Sequence, residues 1–127
     1  MNELGLVFYG YNFKTVKKII NNLKKILDKK LFYISASGKE EKTVNEILKK
    51  EDNKIFSENE IKIIMFLGFN DDEITKTFHF FSDNKNEIPK PIFCILTIYN
   101  INWKFKDLIN YLIEEENRFK KIQKNFS

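Results

Sequence analysis

The sequence predicts an α/β fold in which a four-stranded, mostly parallel sheet carries helices on both faces. Four short apolar runs alternate with stretches in which apolar residues recur every three or four positions. Continuous apolar runs are typical of strands covered on both faces, and the second spacing is typical of helices packed on a sheet. The element order is therefore β-α-β-α-β-α-β-α. It divides one domain, residues 1–127, into two similar halves at about 1–55 and 56–127.

Each element has its own signal in the chain. The predicted strands are the four apolar runs Leu4–Tyr9, Leu31–Ile34, Ile61–Leu67 and Ile92–Leu96. The helices between and after them follow from apolar stripes at helical spacing, which run over Val16–Leu27, Val44–Leu48, Ile74–Phe81 and Phe105–Phe119.

Three of the helix starts are marked by asparagine. Asn70 is followed three residues later by Glu73, the capping-box arrangement in which each side chain accepts a hydrogen bond from the other's backbone N–H. Asp71 then falls in the first turn, where the helix dipole favours negative charge. Asn12 and Asn102 occupy similar places before the first and last helices, so we expect all three asparagines to act as N-caps.

The two halves resemble each other in sequence. Phe8–Asn12 matches Phe66–Asn70 at an offset of 58, with Gly, an aromatic residue and Asn directly after a strand in both. At an offset of 61, two further pairs match, Phe32 with Phe93 and Ile34 with Ile95. We infer an internal duplication from these matches.

Two sheet topologies fit this order of elements. Right-handed crossovers place the first and third helices on one face and the other two on the opposite face, with strand order 2-1-3-4. In a wholly parallel sheet, all the strands end at one edge, which is where such folds bind ligands. If a two-fold axis relates the halves, strands 1 and 3 pair antiparallel and the sheet is mixed. The sequence leaves both arrangements open.

A parallel sheet would gather small polar side chains at its carboxyl edge. The residues that we expect there, as a site for a ligand or a partner, are Asn12, Asn70, Asp71, Thr97, Asn102 and Trp103. Trp103 falls off the apolar stripe of the last helix, so it closes over the strand ends beside Thr97, contacts another chain or simply packs against its own loop, the last being the simplest explanation. Helix capping is the competing explanation for the asparagines.

The second half also carries the residues of a known pattern, namely Gly68-Phe69, Pro91, Thr97, Asn102-Trp103 and the Leu108/Leu112 helix. Over Ile61 to Glu116 it resembles a small bacterial family catalogued only as a domain of unknown function. That family's unit has the length of one half, so the resemblance implies that the first half is a diverged copy. Ala36 and Lys42 stand near the places of the Thr and Trp. The resemblance supports the fold and implies no activity.

Composition argues against several classes of function. With Cys94 and His79 as the only cysteine and histidine, the chain lacks a disulfide pair and a multi-cysteine metal site, and a Cys–His dyad is disfavoured. Neither glycine-rich nucleotide motif occurs, so we expect no cofactor and no metal. No apolar run is long enough to span a bilayer, and no signal peptide is evident, so we expect a cytoplasmic protein without a membrane partner.

The net charge of +4 invites a nucleic-acid hypothesis. Arg118 is the only arginine among 22 basic residues, whereas bidentate contacts to phosphates and bases favour arginine. The lysine-rich first helix is the one hint of such binding, and solvated lysines explain it better.

The interpretation that best fits the sequence is a small, non-catalytic α/β module. It would bind a protein partner, a second copy of itself or a regulatory ligand. The alternative is a small enzyme or nucleotide-binding protein with its site at the carboxyl edge of the strands.

Overall fold

The computed structural model describes residues 3–49 and 55–126. Its strands are β1 (Leu4–Tyr9), β2 (Leu31–Ser35), β3 (Ile63–Leu67) and β4 (Ile92–Ile95). Its helices are α1 (Phe13–Leu27), α2 (Val44–Lys49), α3 (Asp71–Asp83) and α4 (Phe105–Phe126), with a 3-10 turn over Asn100–Asn102. The predicted α/β class and the predicted order of strands and helices are confirmed.

The four strands form one mixed sheet with the order β2-β1-β3-β4. β1 is parallel to β2, and β3 is parallel to β4, but β1 and β3 are antiparallel. Of the two topologies left open by the sequence, the mixed one is therefore correct. β1 and β2 end at one end of the sheet, here called the β1 end, and β3 and β4 end at the opposite, β3 end.

Counterpart residues of the two halves meet at two places. The β1–β3 register pairs Val7 with Met65, which are counterparts at the offset of 58. On one face of the sheet, the N–H of Val44 donates to the carbonyl of Trp103 at 2.9 Å, and the N–H of Phe105 donates to that of Lys42 at 2.8 Å. These four residues are counterparts at the offset of 61, so the two bonds are reciprocal.

The helices cover both faces of the sheet, as predicted. α1 and α3 pack on one face around buried Phe8, Leu23 and Phe66, whereas α2 and α4 pack on the other around Val7 and Phe105. Burial of each large apolar side chain contributes about 1.5–3 kcal/mol to stability, so both faces contribute to holding the sheet together.

The strand pairings correct one part of the sequence alignment between the halves. The N–H of Ala36 donates to the carbonyl of Phe8, and the N–H of Leu96 donates to that of Phe66. Phe8 and Phe66 are counterparts at 58, so Ala36 and Leu96 are counterparts at an offset of 60. The sequence match had used 61 for this strand.

The true counterpart of Phe93 is therefore Tyr33 and not Phe32. Both Tyr33 and Phe93 pack against the core under α1 and α3, whereas Ile34 and Cys94 pack on the opposite face. Because side chains alternate along a strand, the one-residue error had matched residues that point to opposite faces. The similar apolar content of β2 and β4 hid this error.

Candidate functional site

Asn12 lies at the β1 end of the sheet and caps α1. Its Oδ1 accepts a hydrogen bond from the N–H of Thr15 at 2.8 Å, and its Nδ2 donates to Oε1 of Glu58 at 3.3 Å. Both polar atoms of the side chain are thus engaged, and the bond from Thr15 confirms the predicted N-cap.

Asn70 and Asp71 lie at the opposite, β3 end. Oδ1 of Asn70 accepts from the N–H of Glu73 at 2.8 Å, and the N–H of Asn70 donates to Oε1 of Glu73 at 2.9 Å. This reciprocal pair is the predicted capping box. Asp71 is exposed in the first turn of α3.

Glu73 also joins the two halves electrostatically. Its other carboxylate oxygen, Oε2, accepts from Nζ of Lys29 at 2.6 Å, and its side chain is only 8% exposed. Burial by itself would raise the pKa of Glu73, but the hydrogen bond from the Asn70 backbone and the charge of Lys29 lower it below its ordinary value. The carboxylate is therefore a structural anion at neutral pH.

Thr97 follows β4 and builds a tight turn. Its Oγ1 accepts hydrogen bonds from the N–H groups of Asn100, at 3.0 Å, and Tyr99, at 3.2 Å. Asn100 returns the contact, because its Oδ1 accepts from the N–H of Thr97 at 2.9 Å and its Nδ2 donates to the Ile95 carbonyl at 3.0 Å. The polar groups of Thr97 and Asn100 thus serve the turn itself.

Asn102 is not the N-cap of the last helix, because α4 begins only at Phe105. The residues in between instead form a bridge to the other half, in which Lys104 pairs with Thr43. Asn102 ends the 3-10 turn and Trp103 directly follows it. This bridge delays the start of the helix beyond the predicted cap.

Trp103 and Tyr111 form the aromatic side of an open groove along α4. Their ring centroids lie 5.4 Å apart at an interplanar angle of 77°, an edge-to-face contact. The groove has a volume of about 640 Å³ and is lined by Asn102, Trp103, Lys104, Lys106, Asp107, Asn110, Tyr111 and Glu114. It therefore combines two aromatic rings with amides and charges of both signs.

Glu41 fixes the basic rim of this groove from the other half of the chain. Its Oε1 lies 3.1 Å from Nζ of Lys106 and 3.8 Å from Nζ of Lys104. Because all three side chains are largely exposed, these ion pairs orient the lysines more than they stabilise the fold.

The structure brings together only part of the predicted site. Asn102 and Trp103 line the groove, whereas Asn70 and Thr97 follow the ends of β3 and β4 and have local partners. Asn12 lies at the opposite end of the sheet. The expectation of one common edge is therefore wrong, because the antiparallel β1–β3 pair sends the strand ends in opposite directions.

Sequence reasoning missed the groove residues on α4. Asp107, Asn110, Tyr111 and Glu114 recur every three or four positions on the side of the helix away from its apolar stripe. That spacing was readable in the sequence, and Tyr111 was the signal, since a large aromatic side chain stands there among polar residues.

The groups with perturbed acidity lie away from the groove. Cys94 lies within β4, where burial raises the pKa of its thiol to about 12, so the nucleophilic thiolate is scarce at neutral pH. Burial and the hydrogen bond to Glu40 raise the pKa of Tyr9 to about 12. Within residues 3–49 and 55–126, no three His, Cys, Asp or Glu side chains are placed to hold a metal ion.

Comparison with known proteins bears on the second half of the chain. Residues 62–119 match the family described as a domain of unknown function (DUF3783), which confirms the suspected resemblance. The match covers β3 to the middle of α4, one β-α-β-α unit. Neither the curated proteins nor the solved structures contain a match to the chain. None of the described helices is both long and apolar enough to cross a membrane.

Proposed function

We propose that this protein is a non-catalytic binding module that holds a protein partner in the groove beside Trp103. The observation that carries the proposal is the edge-to-face pair of partly buried Trp103 and exposed Tyr111 in a groove with polar and charged walls. Tryptophan and tyrosine are the residue types that most often dominate the binding energy of protein interfaces.

The shape of the groove favours a protein partner over a small ligand. Small-molecule sites enclose most of the ligand in an apolar cavity, whereas this groove is broad and open along the helix. Lys106 and Asp107 place opposite charges beside the rings, which suits the mixed side chains of a peptide or protein surface. A small regulatory ligand in this groove would keep much of its surface exposed to water, unlike a ligand in an enclosed pocket.

The enzymatic alternative loses the site on which it depended. It required Asn12 to act at one edge together with Asn70, Asp71, Thr97 and Asn102, but β1 and β3 run in opposite directions. The nucleic-acid hypothesis also loses support, because Lys18 of α1 pairs with Glu87 at 2.6 Å and Lys29 pairs with Glu73.

Trp103 itself provides the test, because it is the only tryptophan in the chain. We expect peptides selected from a random library against the whole chain to shift the fluorescence emission of Trp103 to shorter wavelength as they cover the ring. Tyr111→Ala should weaken this binding at least tenfold, about 1.4 kcal/mol, as expected for an aromatic anchor.

Tyr99→Ala is the matched control, because Tyr99 is 76% exposed and does not line the groove. It should leave peptide affinity unchanged. The proposal fails if selected peptides bind without affecting Trp103 emission. It also fails if a thermal-shift screen with nucleotides, metal ions and metabolites finds a ligand whose effect Thr97→Val abolishes.

We also infer that the two halves arose by duplication of one β-α-β-α unit, and that the protein works in the cytoplasm. The Val7–Met65 pairing and the reciprocal bonds between Val44, Phe105 and their neighbours support the duplication, because in both places counterparts meet. A thiol at Cys94 suits a reducing compartment.

A further inference from the structure

The outer edge of β4 presents unpaired backbone groups in a defined pattern. The N–H groups of Ile92 and Leu96 donate to β3 and its flanks, so alternate residues, Phe93 and Ile95, direct their backbone groups away from the sheet. Among the described residues, no hydrogen bond engages the N–H or C=O of Phe93 or the N–H of Ile95. The carbonyl of Ile95 is different, because Asn100 donates to it.

The edge strand of the first half shows how such an edge is covered in this fold. Residues 55–57 lie against β2, where Ser35 donates to the Ile55 carbonyl and the ring of Phe56 lies 6.0 Å from that of Tyr33. Ser35 is consequently fully buried. Ile95, its counterpart in β4, is 54% exposed.

We propose that β4 pairs antiparallel with β4 of a second copy of this chain, centred on Phe93. The surface is distinct from the Trp103 groove, and the inference does not depend on the proposed function. In an antiparallel pair centred on one residue, that residue exchanges two hydrogen bonds with its own copy. The N–H and C=O of Phe93, neither of which has a partner among residues 3–49 and 55–126, fit this requirement.

The hydrogen-bonding groups of Ile95 and Pro91 favour the same register, the one centred on Phe93. Two residues from the centre, Ile95 of each copy faces Pro91 of the other, so the N–H of Ile95 is directed at the Pro91 carbonyl. The reverse bond would need an N–H that proline lacks and the Ile95 carbonyl that Asn100 already occupies. In this register Pro91, which has no N–H to donate, therefore lies opposite the Ile95 carbonyl, which already accepts a hydrogen bond from Asn100. In another register, Pro91 or the Ile95 carbonyl would lie opposite a backbone group that needs a hydrogen-bond partner.

The side chains around this edge also complement a second copy. Phe78, which is 44% exposed, packs against Phe93 with ring centroids 4.9 Å apart. Beside them is an apolar hollow of about 400 Å³, lined by Phe78, Ser82, Lys85, Lys90 and Phe93. A two-fold pair would bring the two Phe93 rings next to each other and cover both hollows. Phe78 lies on the apolar stripe that predicted α3, but its exposure sets it apart from buried Phe81 on the same stripe.

Charge supports the antiparallel orientation. Lys85 and Lys90 lie where β4 begins, and no ion pair engages them within the described part of the chain. Asp71 and Asp72 begin α3 at the opposite end of the sheet, where β4 ends, and Asp72 also lies 3.3 Å from Nζ of Lys76 within the helix. An antiparallel copy therefore brings the lysine-bearing end of one chain to the aspartate-bearing end of the other, which favours association.

The experiment is sedimentation equilibrium of the whole chain over a concentration series. We expect the wild type to reach a mass of about twice 15.3 kDa. Ile95→Pro removes an outward N–H that makes no hydrogen bond within the sheet, so it should leave a monomer with an unchanged circular dichroism spectrum. Ile95→Thr, the matched control, keeps the N–H and the β-branched shape and should remain a dimer.

Amide hydrogen exchange of the wild type tests the same pairing without any substitution. The amides of Phe93 and Ile95 should exchange more slowly as concentration rises, whereas the amide of Ile98, a residue that is 80% exposed, should not change. A monomeric wild type, or a dimer that survives Ile95→Pro, would overturn the proposal. Loss of the dimer in both variants would overturn it too, because it would assign association to the Ile95 side chain rather than to its N–H.

Discussion

The two halves of this molecule share one plan but differ in how they treat their outer edges. Ser35 at the edge of the first half is buried beneath residues 55–57, whereas its counterpart Ile95 is more than half exposed. At the centre of the sheet the halves are alike, since Val7 and Met65 pair with each other and both are buried. The two halves are thus alike where β1 pairs with β3 at the centre of the sheet, and they differ at the outer strands β2 and β4.

The helices on one face show the same contrast. α1 and α3 are joined near both of their ends, by Lys29–Glu73 and by Lys18–Glu87, each at 2.6 Å. Lys29 and Glu87 are counterparts at the offset of 58 but carry opposite charges. The first pair has a buried carboxylate, whereas the second is exposed on both sides. The two ion pairs therefore contribute unequally to stability.

We expect the largest losses of stability from substitutions in the central core, and these also test whether the two halves unfold together. Phe8 and Phe66 are buried counterparts on the same face of the sheet. Phe8→Ala and Phe66→Ala should each cost about 3–5 kcal/mol, because each leaves a cavity in a shared core. Urea denaturation should give one transition for both variants. Two separate transitions would show that the halves unfold independently.

Alanine substitutions at two counterpart glycines should differ in how much they destabilise the fold. Gly10 and Gly68 both have positive φ, at 91° and 79°. A Cβ at Gly10 would lie 2.0 Å from the Ile61 carbonyl oxygen, whereas one at Gly68 would lie 3.1 Å from that of Glu3. Gly68→Ala should cost about 1–2 kcal/mol for the left-handed conformation alone. Gly10→Ala should cost more, because backbone must move, and equal midpoints in urea would contradict this.

The unequal ion pairs predict a difference in pH dependence. Glu73→Gln should cost about 1–3 kcal/mol at neutral pH, because a buried charge-assisted contact to Lys29 is lost. The pKa of Glu73 is lowered in the folded state, so its stabilisation is present above the ordinary value of 4.5 and is lost as pH falls through the folded pKa. The variant should therefore show a flatter decline of stability in acid than the wild type.

Glu87→Gln is the control for this prediction. The pKa of Glu87 is also lowered, through the hydrogen bond and charge of Lys18, but the side chain is exposed. Its loss should change stability less than Glu73→Gln at neutral pH, where both carboxylates are ionised. An equal or larger effect of Glu87→Gln in urea denaturation would contradict the distinction between the two pairs.

Of these comparisons, we expect the smallest difference in stability between alanine variants of the two helix caps. Asn12→Ala should cost about 1 kcal/mol, the usual value for one N-cap hydrogen bond. Asn70→Ala should cost somewhat more, because the capping box also orders Glu73 for its contact with Lys29. Thermal unfolding of the two variants side by side measures the difference, and a larger loss in Asn12→Ala would refute it.

The sequence predicted the elements better than their mutual arrangement. β1 was predicted at its observed bounds, and Asn12 and Asn70 cap their helices, because these signals are local. The direction of β3 relative to β1 was left open, since a continuous apolar run reads alike in both directions.

The candidate site was predicted only in part for the same reason. Trp103 was singled out because it departs from the apolar stripe of α4, and Asn102 because it is a polar residue before that helix; both line the groove. Asn12 was assigned to the same edge on the assumption of a parallel sheet. The bridge between Thr43 and Lys104, which displaces the start of α4, is a long-range contact that no local pattern records.

The antiparallel centre also shapes the electric field of the molecule. In a wholly parallel wound sheet, the helices begin at one rim and their dipoles add to a positive pole that attracts phosphate. Here α1 begins where β1 ends and α3 begins at the far end, so the two neighbouring dipoles oppose each other. An anion approaching from either side meets the start of only one of these two helices.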